Sequence, residues 1–292
     1  MIPPITEYVE TLFAALGFVA IASILAWALG FFRIPQKTGQ NAVTIWSTLG
    51  AFFLYFFVQV ILIPMLLFAW LYMTEETMPK NLGSFLSKND VGWISFVSII
   101  TATLTVLAYS LVIESNQTQT VWNSGKNSFL QRLKSILIGA FSWLCVYPWV
   151  IVIGQLVTII FILTQHEVPP DIDQEMVRHI KDIVDDKPLF YATIFSVIIA
   201  VPIAEELLFR GFMQNLFKKG MGVVRSIFVT SFLFSILHFS WGQGFANWQI
   251  VLSLFVVSCF LGYLYERQKT LWAPIALHIA INGVSIAILF VI

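Results

Sequence analysis

The feature that most constrains this chain is a series of long apolar runs that contain very few charged residues. A helix needs about 20 mainly apolar residues to cross a bilayer, and shorter apolar runs are more typical of soluble cores. We therefore predict an all-α fold, a polytopic transmembrane helical bundle of about eight helices. The predicted spans are 11–32, 43–73, 94–114, 135–164, 189–216, 223–241, 248–265 and 273–292.

The composition excludes the soluble classes of protein. Hydrophobic residues make up 58% of the 292 residues and charged residues 11%, whereas soluble domains have roughly 45–50% and 25%. A surface with so few charges must face lipid, so the lipid bilayer is a predicted partner. The net charge is zero, and we predict no nucleic-acid binding. Cys145 and Cys259 lie in apolar runs and indicate packing rather than a disulfide.

The distribution of basic residues predicts the orientation of the chain. If the N-terminus is extracytoplasmic, most of the 16 Lys and Arg residues fall in loops on the cytoplasmic side. Loops that carry an excess of Lys and Arg remain in the cytoplasm. We therefore expect a multi-pass protein of the plasma membrane with both termini extracytoplasmic.

The chain is predicted to have two parts. Residues 1–188 hold four transmembrane helices and an acidic loop at 165–188. In this loop Met176, Ile180 and Ile183 recur at helical spacing, which predicts an amphipathic helix on the extracytoplasmic interface. Residues 189–292 hold four further helices and nearly all of the charged or titratable groups found inside spans. Because such groups are costly in lipid, they mark 189–292 as the part of the chain predicted to carry the function.

The fifth predicted helix carries Glu205, Glu206 and Arg210. Glu206 and Arg210 are four residues apart, so they share a helix face and can form an ion pair. Glu205 is turned by about 100° from its neighbour and can aim at another helix. The alternative interpretation is that these charges only line the inner membrane interface.

Two later helices carry intramembrane histidines. His238 follows Phe234 by four residues on the sixth helix, and Asn282 follows His278 by four residues on the eighth. A single histidine in a span is more often a hydrogen-bonded core residue than a catalyst. Two histidines, an acid and an amide at one depth favour a site.

Whether Glu205 and His238 lie at the same depth in the membrane depends on the turn between the fifth and sixth helices. The segment 218–222 contains two glycines and two lysines, which predicts a helix end and a reversal of direction. Antiparallel helices on either side of this turn can bring Glu205 and His238 to one level.

Three motifs occur in order on these helices: Glu-Glu-x-x-x-Arg at 205–210, Phe-x-x-x-His at 234–238 and His-x-x-x-Asn at 278–282. Together they resemble the CAAX-protease and bacteriocin-processing family. Its members are intramembrane endopeptidases and include the Ras-converting CAAX endoprotease. The resemblance covers 189–292, and the first four helices carry none of its motifs.

The resemblance implies roles for seven residues. It implies a catalytic set formed by Glu205, His238, His278 and Asn282. It also implies a supporting set formed by Glu206, Arg210 and Phe234, of which Phe234 packs beside the site.

Peptide hydrolysis needs an activated water and donors for the oxyanion, and two mechanisms remain open. In one, Glu205 activates the water without a metal. In the other, Glu205, His238 and His278 hold zinc, with a fourth position left for water. These ligands would come from three separate helices, since no His-Glu-x-x-His helix is present.

The implied partner is a membrane-anchored peptide or protein substrate. The family resemblance implies either a CAAX-type prenylated C-terminus or a bacteriocin or peptide precursor. Two other functions are consistent with charged groups inside spans. One is a proton-coupled membrane transporter, and the other is a non-catalytic immunity or scaffold protein of the membrane.

Overall fold

The computed structural model describes residues 5–28, 30–33, 42–74, 86–122, 128–167 and 175–291. All regular structure in these ranges is helical. The α-helices are α1 Ile5–Ala28, α2 Ile45–Phe56, α3 Ile63–Thr74, α4 Lys88–Val112, α5 Ser115–Trp122, α6 Phe129–Phe141, α7 Trp143–Gln165, α8 Glu175–Asp182, α9 Lys187–Phe195, α10 Val201–Glu206, α11 Asn215–Ile236, α12 Ala246–Gln268 and α13 Trp272–Val291.

Seven helical stretches of the described chain are long and apolar enough to cross a membrane. One of them, Lys187–Ile236, is 50 residues long, more than twice what one crossing needs. It breaks inside α11 at Gly222, where φ is 78° and ψ is 178°, a backbone conformation that glycine adopts without strain. The helix end predicted within 218–222 is confirmed at Gly222, and dividing the stretch there gives about eight crossings. The predicted all-α polytopic bundle is likewise confirmed.

Large apolar side chains cover much of the surface. Phe13, Trp46 and Phe129 are examples, with exposed fractions of 68%, 79% and 78%. Soluble monomers rarely expose wide apolar patches, so these side chains face lipid.

Three helices begin with a reciprocal capping box. The side chains of Thr44, Ser87 and Ser128 each accept a hydrogen bond from the backbone N–H three residues later, and the backbone N–H of each donates in return to that later residue's side chain. This pairing satisfies backbone donors that the first helical turn leaves without a partner. The starts of α2, α4 and α6 are therefore fixed by local sequence.

The chain divides into two compact units. Unit 1 comprises Met1–Gln40, Asn123–Glu175 and Phe217–Ile292. Unit 2 comprises Asn41–Trp122 and Met176–Leu216. This division follows packing, whereas the predicted parts 1–188 and 189–292 follow the positions of motifs and remain a prediction.

Unit 1 is built around α7, α12 and α13. Its main core is formed by Val146, Val257, Leu261, Leu264, Ala273 and Leu277. A second cluster joins α1 to α7 through Ala15, Val19 and Val152. In the same unit α6 packs along α13.

An ion-pair cluster fixes the turn in unit 1 that precedes the sixth crossing. Lys218 Nζ lies 2.7 Å from Glu266 Oε1, and Lys269 Nζ lies 3.7 Å from Glu266 Oε2. Lys218 Nζ is also 5.8 Å from the ring centroid of Tyr265. These contacts hold the first residues of the 218–222 turn against the C-terminal end of α12.

In unit 2, the other helices pack around the fifth crossing, which begins with α9. α4 packs against α2, α9 and α10, and α5 packs against the segment 207–214. α8 occupies part of the predicted amphipathic helix, with Ile180 and Ile183 buried. Lys88 pairs with Asp182 at 3.0 Å and fastens this helix to the start of α4. Residues 168–174 of the acidic loop lie outside the described residues.

A substitution at Gly139 tests the packing of α6 on α13. A Cβ at this position would overlap the backbone carbonyl oxygen of Ala273, which cannot rotate away. We expect Gly139→Ala to lower the melting temperature, with a loss of about 1–3 kcal/mol typical of overpacking. Gly17→Ala on α1 is the matched control, since a Cβ there meets no atom within 4 Å. Equal melting temperatures for the two variants would contradict the close approach of α6 and α13.

Candidate active site

The acidic motif lies on a short α-helical segment between two π-helical ones. α10 carries Glu205 and Glu206, with the π segments Ser196–Ala200 before it and Leu207–Gln214 after it. Pro202 cannot donate a backbone hydrogen bond, so the regular ladder is interrupted where the first π segment ends. The π segment Phe57–Leu62 likewise ends two residues before Pro64. Single π turns are frequent at functional sites.

Glu206 and Arg210 form the predicted ion pair. Arg210 Nη1 donates to Glu206 Oε1 at 3.0 Å, and both side chains are fully buried. A charge on either residue alone would be very costly at this depth. The pair makes burial of both residues tolerable, and the prediction from their spacing is confirmed.

Aromatic contacts from the first half of the chain cover this segment in unit 2. The ring of Phe52 on α2 meets Phe209 edge to face, with centroids 5.4 Å apart. The ring of Tyr109 on α4 lies 5.9 Å from that of Phe212. Helices without any family motif therefore enclose the ion pair.

Asn215 secures the end of the same segment. Its side-chain amide donates to the carbonyl oxygens of Gly211 and Arg210 at 2.8 and 3.3 Å. It also donates to the carbonyl oxygen of Thr120 on α5 at 3.4 Å. One amide thus binds carbonyls of the π segment and joins that segment to α5.

The two adjacent carboxylates have different surroundings. Glu206 has no exposed surface, whereas Glu205 is only partly buried. Glu205 also interacts electrostatically with the hydroxyl of Tyr55, a residue with 6% exposure on α2. One acid is enclosed with its cation, and its neighbour keeps an accessible surface.

In unit 1, Phe234 brings the two histidines together. Its side chain is buried, and its ring centroid lies 4.7 Å from His238 and 6.1 Å from His278. Both imidazoles therefore pack on one aromatic ring. Asn282 lies one helical turn after His278 on α13 and is partly buried.

His238 lies just beyond a helix, which corrects the predicted span of 223–241. α11 ends at Ile236, and His238 occupies the turn that follows. After this end, the side chain of Asn247 accepts from the Ser240 N–H at 2.9 Å and donates to the Ser240 carbonyl. This clamp holds the chain in a tight connection to α12.

The hydrogen bond of His238 defines the role of each ring nitrogen. Nδ1 lies 2.8 Å from the carbonyl oxygen of Phe234. A carbonyl oxygen only accepts, so Nδ1 must carry a proton. In the neutral ring the lone pair is then on Nε2, which can accept a hydrogen bond or ligate a metal.

The donor types of the predicted zinc ligands fit zinc. Glu205, His238 and His278 are carboxylate and imidazole donors of the kind that zinc binds, and the Nδ1 bond orients His238 as in many zinc sites. Among the described residues, no three His, Cys, Asp or Glu side chains are close enough to share a metal ion. The zinc site therefore stays a prediction.

Sequence reasoning missed Tyr55 and Asn215. Tyr55 lies in the run Phe-Phe-Leu-Tyr-Phe-Phe, where a tyrosine resembles any other packing aromatic. Asn215 lies five residues after Arg210, and an amide side chain at the end of a span gives no specific sequence signal. The two prolines near the π segments were the signal that could have located the irregular helix.

Breaking the buried ion pair tests how unit 2 is held together. Arg210→Met leaves the Glu206 carboxylate buried without its cation, and we expect a loss of about 3–5 kcal/mol in the free energy of unfolding. Replacing both residues, with Glu206→Leu and Arg210→Met, removes the uncompensated charge and should restore part of that loss. Thermal melting in detergent measures both variants. A double variant less stable than the single one would contradict a simple ion pair.

Residues 187–284 match the family model described as type II CAAX prenyl endopeptidase Rce1-like. This range contains all three motifs, from Glu205 to Asn282. No curated protein and no solved structure matches the chain. The resemblance predicted from the motifs is therefore confirmed over 187–284, where the chain is similar to the type II CAAX prenyl endopeptidases.

Proposed function

We propose that this protein is an intramembrane endopeptidase that hydrolyses a peptide bond in a membrane-anchored substrate by means of a glutamate-activated water. The observation that carries the proposal is the single family match that contains both histidines and both glutamates of the predicted site. A multi-pass helical chain suits a substrate that is itself held in the membrane.

Glu205 acts as the general base in this proposal. Its carboxylate takes a proton from water while the water oxygen attacks the carbonyl carbon of the scissile bond. His238 positions that water by accepting a hydrogen bond at Nε2, which the bond of Nδ1 to Phe234 leaves as the acceptor nitrogen. The protonated Glu205 then gives its proton to the leaving amine nitrogen as the C–N bond breaks.

His278 and Asn282 stabilise the intermediate. An imidazole N–H and a side-chain amide N–H can both donate to the oxyanion that forms on the carbonyl oxygen. Burial of His278, with 6% exposure, strengthens such a bond because little water competes for the donor. Phe234 fixes the orientation of both imidazoles by packing on them.

The ion pair between Glu206 and Arg210 gives the carboxylates of Glu205 and Glu206 different roles. Arg210 Nη1 lies 3.0 Å from Glu206 Oε1, so the Glu206 carboxylate is held by its cation and Glu205 is the acid that faces the water. Environments that differ between neighbouring acids are a general way to assign one of them to proton transfer.

The proposed substrate is a CAAX-type prenylated C-terminus or a bacteriocin or peptide precursor. The excess of Lys and Arg in alternate loops supports an orientation with both termini extracytoplasmic, in the plasma membrane. A prenylated C-terminus would then reach the site from the cytoplasmic leaflet.

Zinc dependence has a direct test. When bound, zinc would polarise the scissile carbonyl and acidify its water. For the metal-free mechanism we expect chelator-treated protein to cleave at the untreated rate with zinc well below one ion per chain. Metal analysis and cleavage are measured on the same preparation. Stoichiometric zinc whose removal abolishes cleavage, and whose return restores it, would contradict the metal-free mechanism.

The central test of the function is cleavage by Glu205→Gln. The purified chain in liposomes is incubated with a farnesylated CAAX-type peptide, and the products are identified by mass spectrometry. We expect Glu205→Gln to lose at least about 100-fold in rate, as general-base removal typically does. Glu114→Gln is the control, because Glu114 is an exposed acid in the same unit. Cleavage by Glu205→Gln at the wild-type rate would contradict the proposal, and a transporter or scaffold would yield no product with any variant.

A further inference from the structure

One face of α2 is turned towards the helix of the acidic motif. Phe52 and Tyr55 are three residues apart on α2, so they share a face. The Phe52 ring meets Phe209 with centroids 5.4 Å apart. Tyr55 is enclosed with 6% exposure, although its hydroxyl is polar. A buried phenol normally has a hydrogen-bond partner.

The opposing face of the fifth crossing carries Glu205. Glu205 and Phe209 are four residues apart, so they lie one turn from each other on the same side of the helix. Both residues and α2 belong to unit 2. The face of α2 that holds Tyr55 therefore packs on the face that holds Glu205.

The direction of the helices sets which residues meet. The second and fifth crossings run in opposite directions, because each crossing reverses the chain. From the contact between Phe52 and Phe209, moving three residues forward on α2 reaches Tyr55, and moving four residues back reaches Glu205. Both steps cover about one turn, or roughly 5 Å, towards the same side of the membrane.

We infer that Tyr55 is a positioning residue for Glu205: its hydroxyl donates to the Glu205 carboxylate and holds one oxygen in place, so that the other faces the water. This inference rests on the proposed function. It assigns a part of the site to the second helix, outside the matched range 187–284.

A donor on one carboxylate oxygen has a defined effect on a general base. It removes rotation of the carboxyl group and fixes the direction of the oxygen that accepts the proton. Tyr55 touches neither the water nor the substrate in this arrangement, so substrate binding does not depend on it. Its loss should lower kcat and leave KM unchanged.

The test is Tyr55→Phe, which removes the hydroxyl and keeps the ring. Tyr109→Phe is the matched control, since Tyr109 also packs on the fifth crossing, through Phe212. Both variants and Glu205→Gln are assayed for kcat and KM on the farnesylated CAAX-type peptide, and their melting temperatures are measured. We expect Tyr55→Phe to lose about 10- to 100-fold in kcat, the size of a hydrogen bond to a charged group, with unchanged KM. Tyr109→Phe should match the wild type.

Each other outcome overturns a specific claim. If Tyr55→Phe and Tyr109→Phe have the same kcat while Glu205→Gln is inactive, Tyr55 does not position the base and the proposed function stands. If Tyr55→Phe raises KM as well as lowering kcat, Tyr55 is not a positioning residue for the base and the inference is wrong. If Glu205→Gln cleaves like the wild type, the proposed function itself is wrong.

Discussion

The ion pair of Glu206 and Arg210 is the interaction on which the arrangement of unit 2 depends. Both side chains have no exposed surface, and either charge alone would be very costly in a lipid environment. The pair therefore requires close packing around the segment 207–214, which Phe52 on α2 and Tyr109 on α4 provide through ring contacts. The helices without family motifs therefore cover the charged helix and exclude lipid and water from it.

The three glutamates of the segment 187–291 have different surroundings. Glu206 is bound by Arg210 at 3.0 Å, and Glu266 is bound by Lys218 at 2.7 Å, and both side chains are buried. Glu205 is the partly exposed member of the three. In unit 1, the two imidazoles pack on the ring of Phe234. The hydrogen bond from His238 Nδ1 to the Phe234 carbonyl oxygen directs Nε2 away from the backbone. The proposed roles of base, water ligand and oxyanion donor follow from these differences.

Local features of the site could be predicted from the sequence, and non-local ones could not. The Glu206–Arg210 pair depends only on a spacing of four residues, and the break at Gly222 depends on a glycine in a polar turn. After the end of α11, Asn247 clamps Ser240, a contact that no helical pattern reveals. The place of Tyr55 depends on how α2 packs, and an unbroken apolar run carries no period that would show which face is buried.

The proposed mechanism has Glu205 and the two imidazoles act on one water, which would require their polar atoms to lie within about 5–6 Å of each other. Cross-linking tests this most directly, in a chain whose own cysteines are replaced by Cys145→Ser and Cys259→Ser. With Glu205→Cys and His278→Cys, the account predicts an internal link by the shortest bis-maleimide, found by mass spectrometry. Lys187→Cys with Glu205→Cys should give none, since 18 residues of helix separate them by about 27 Å. Failure to link Glu205→Cys to His278→Cys, although each thiol reacts with a simple maleimide, would contradict the account.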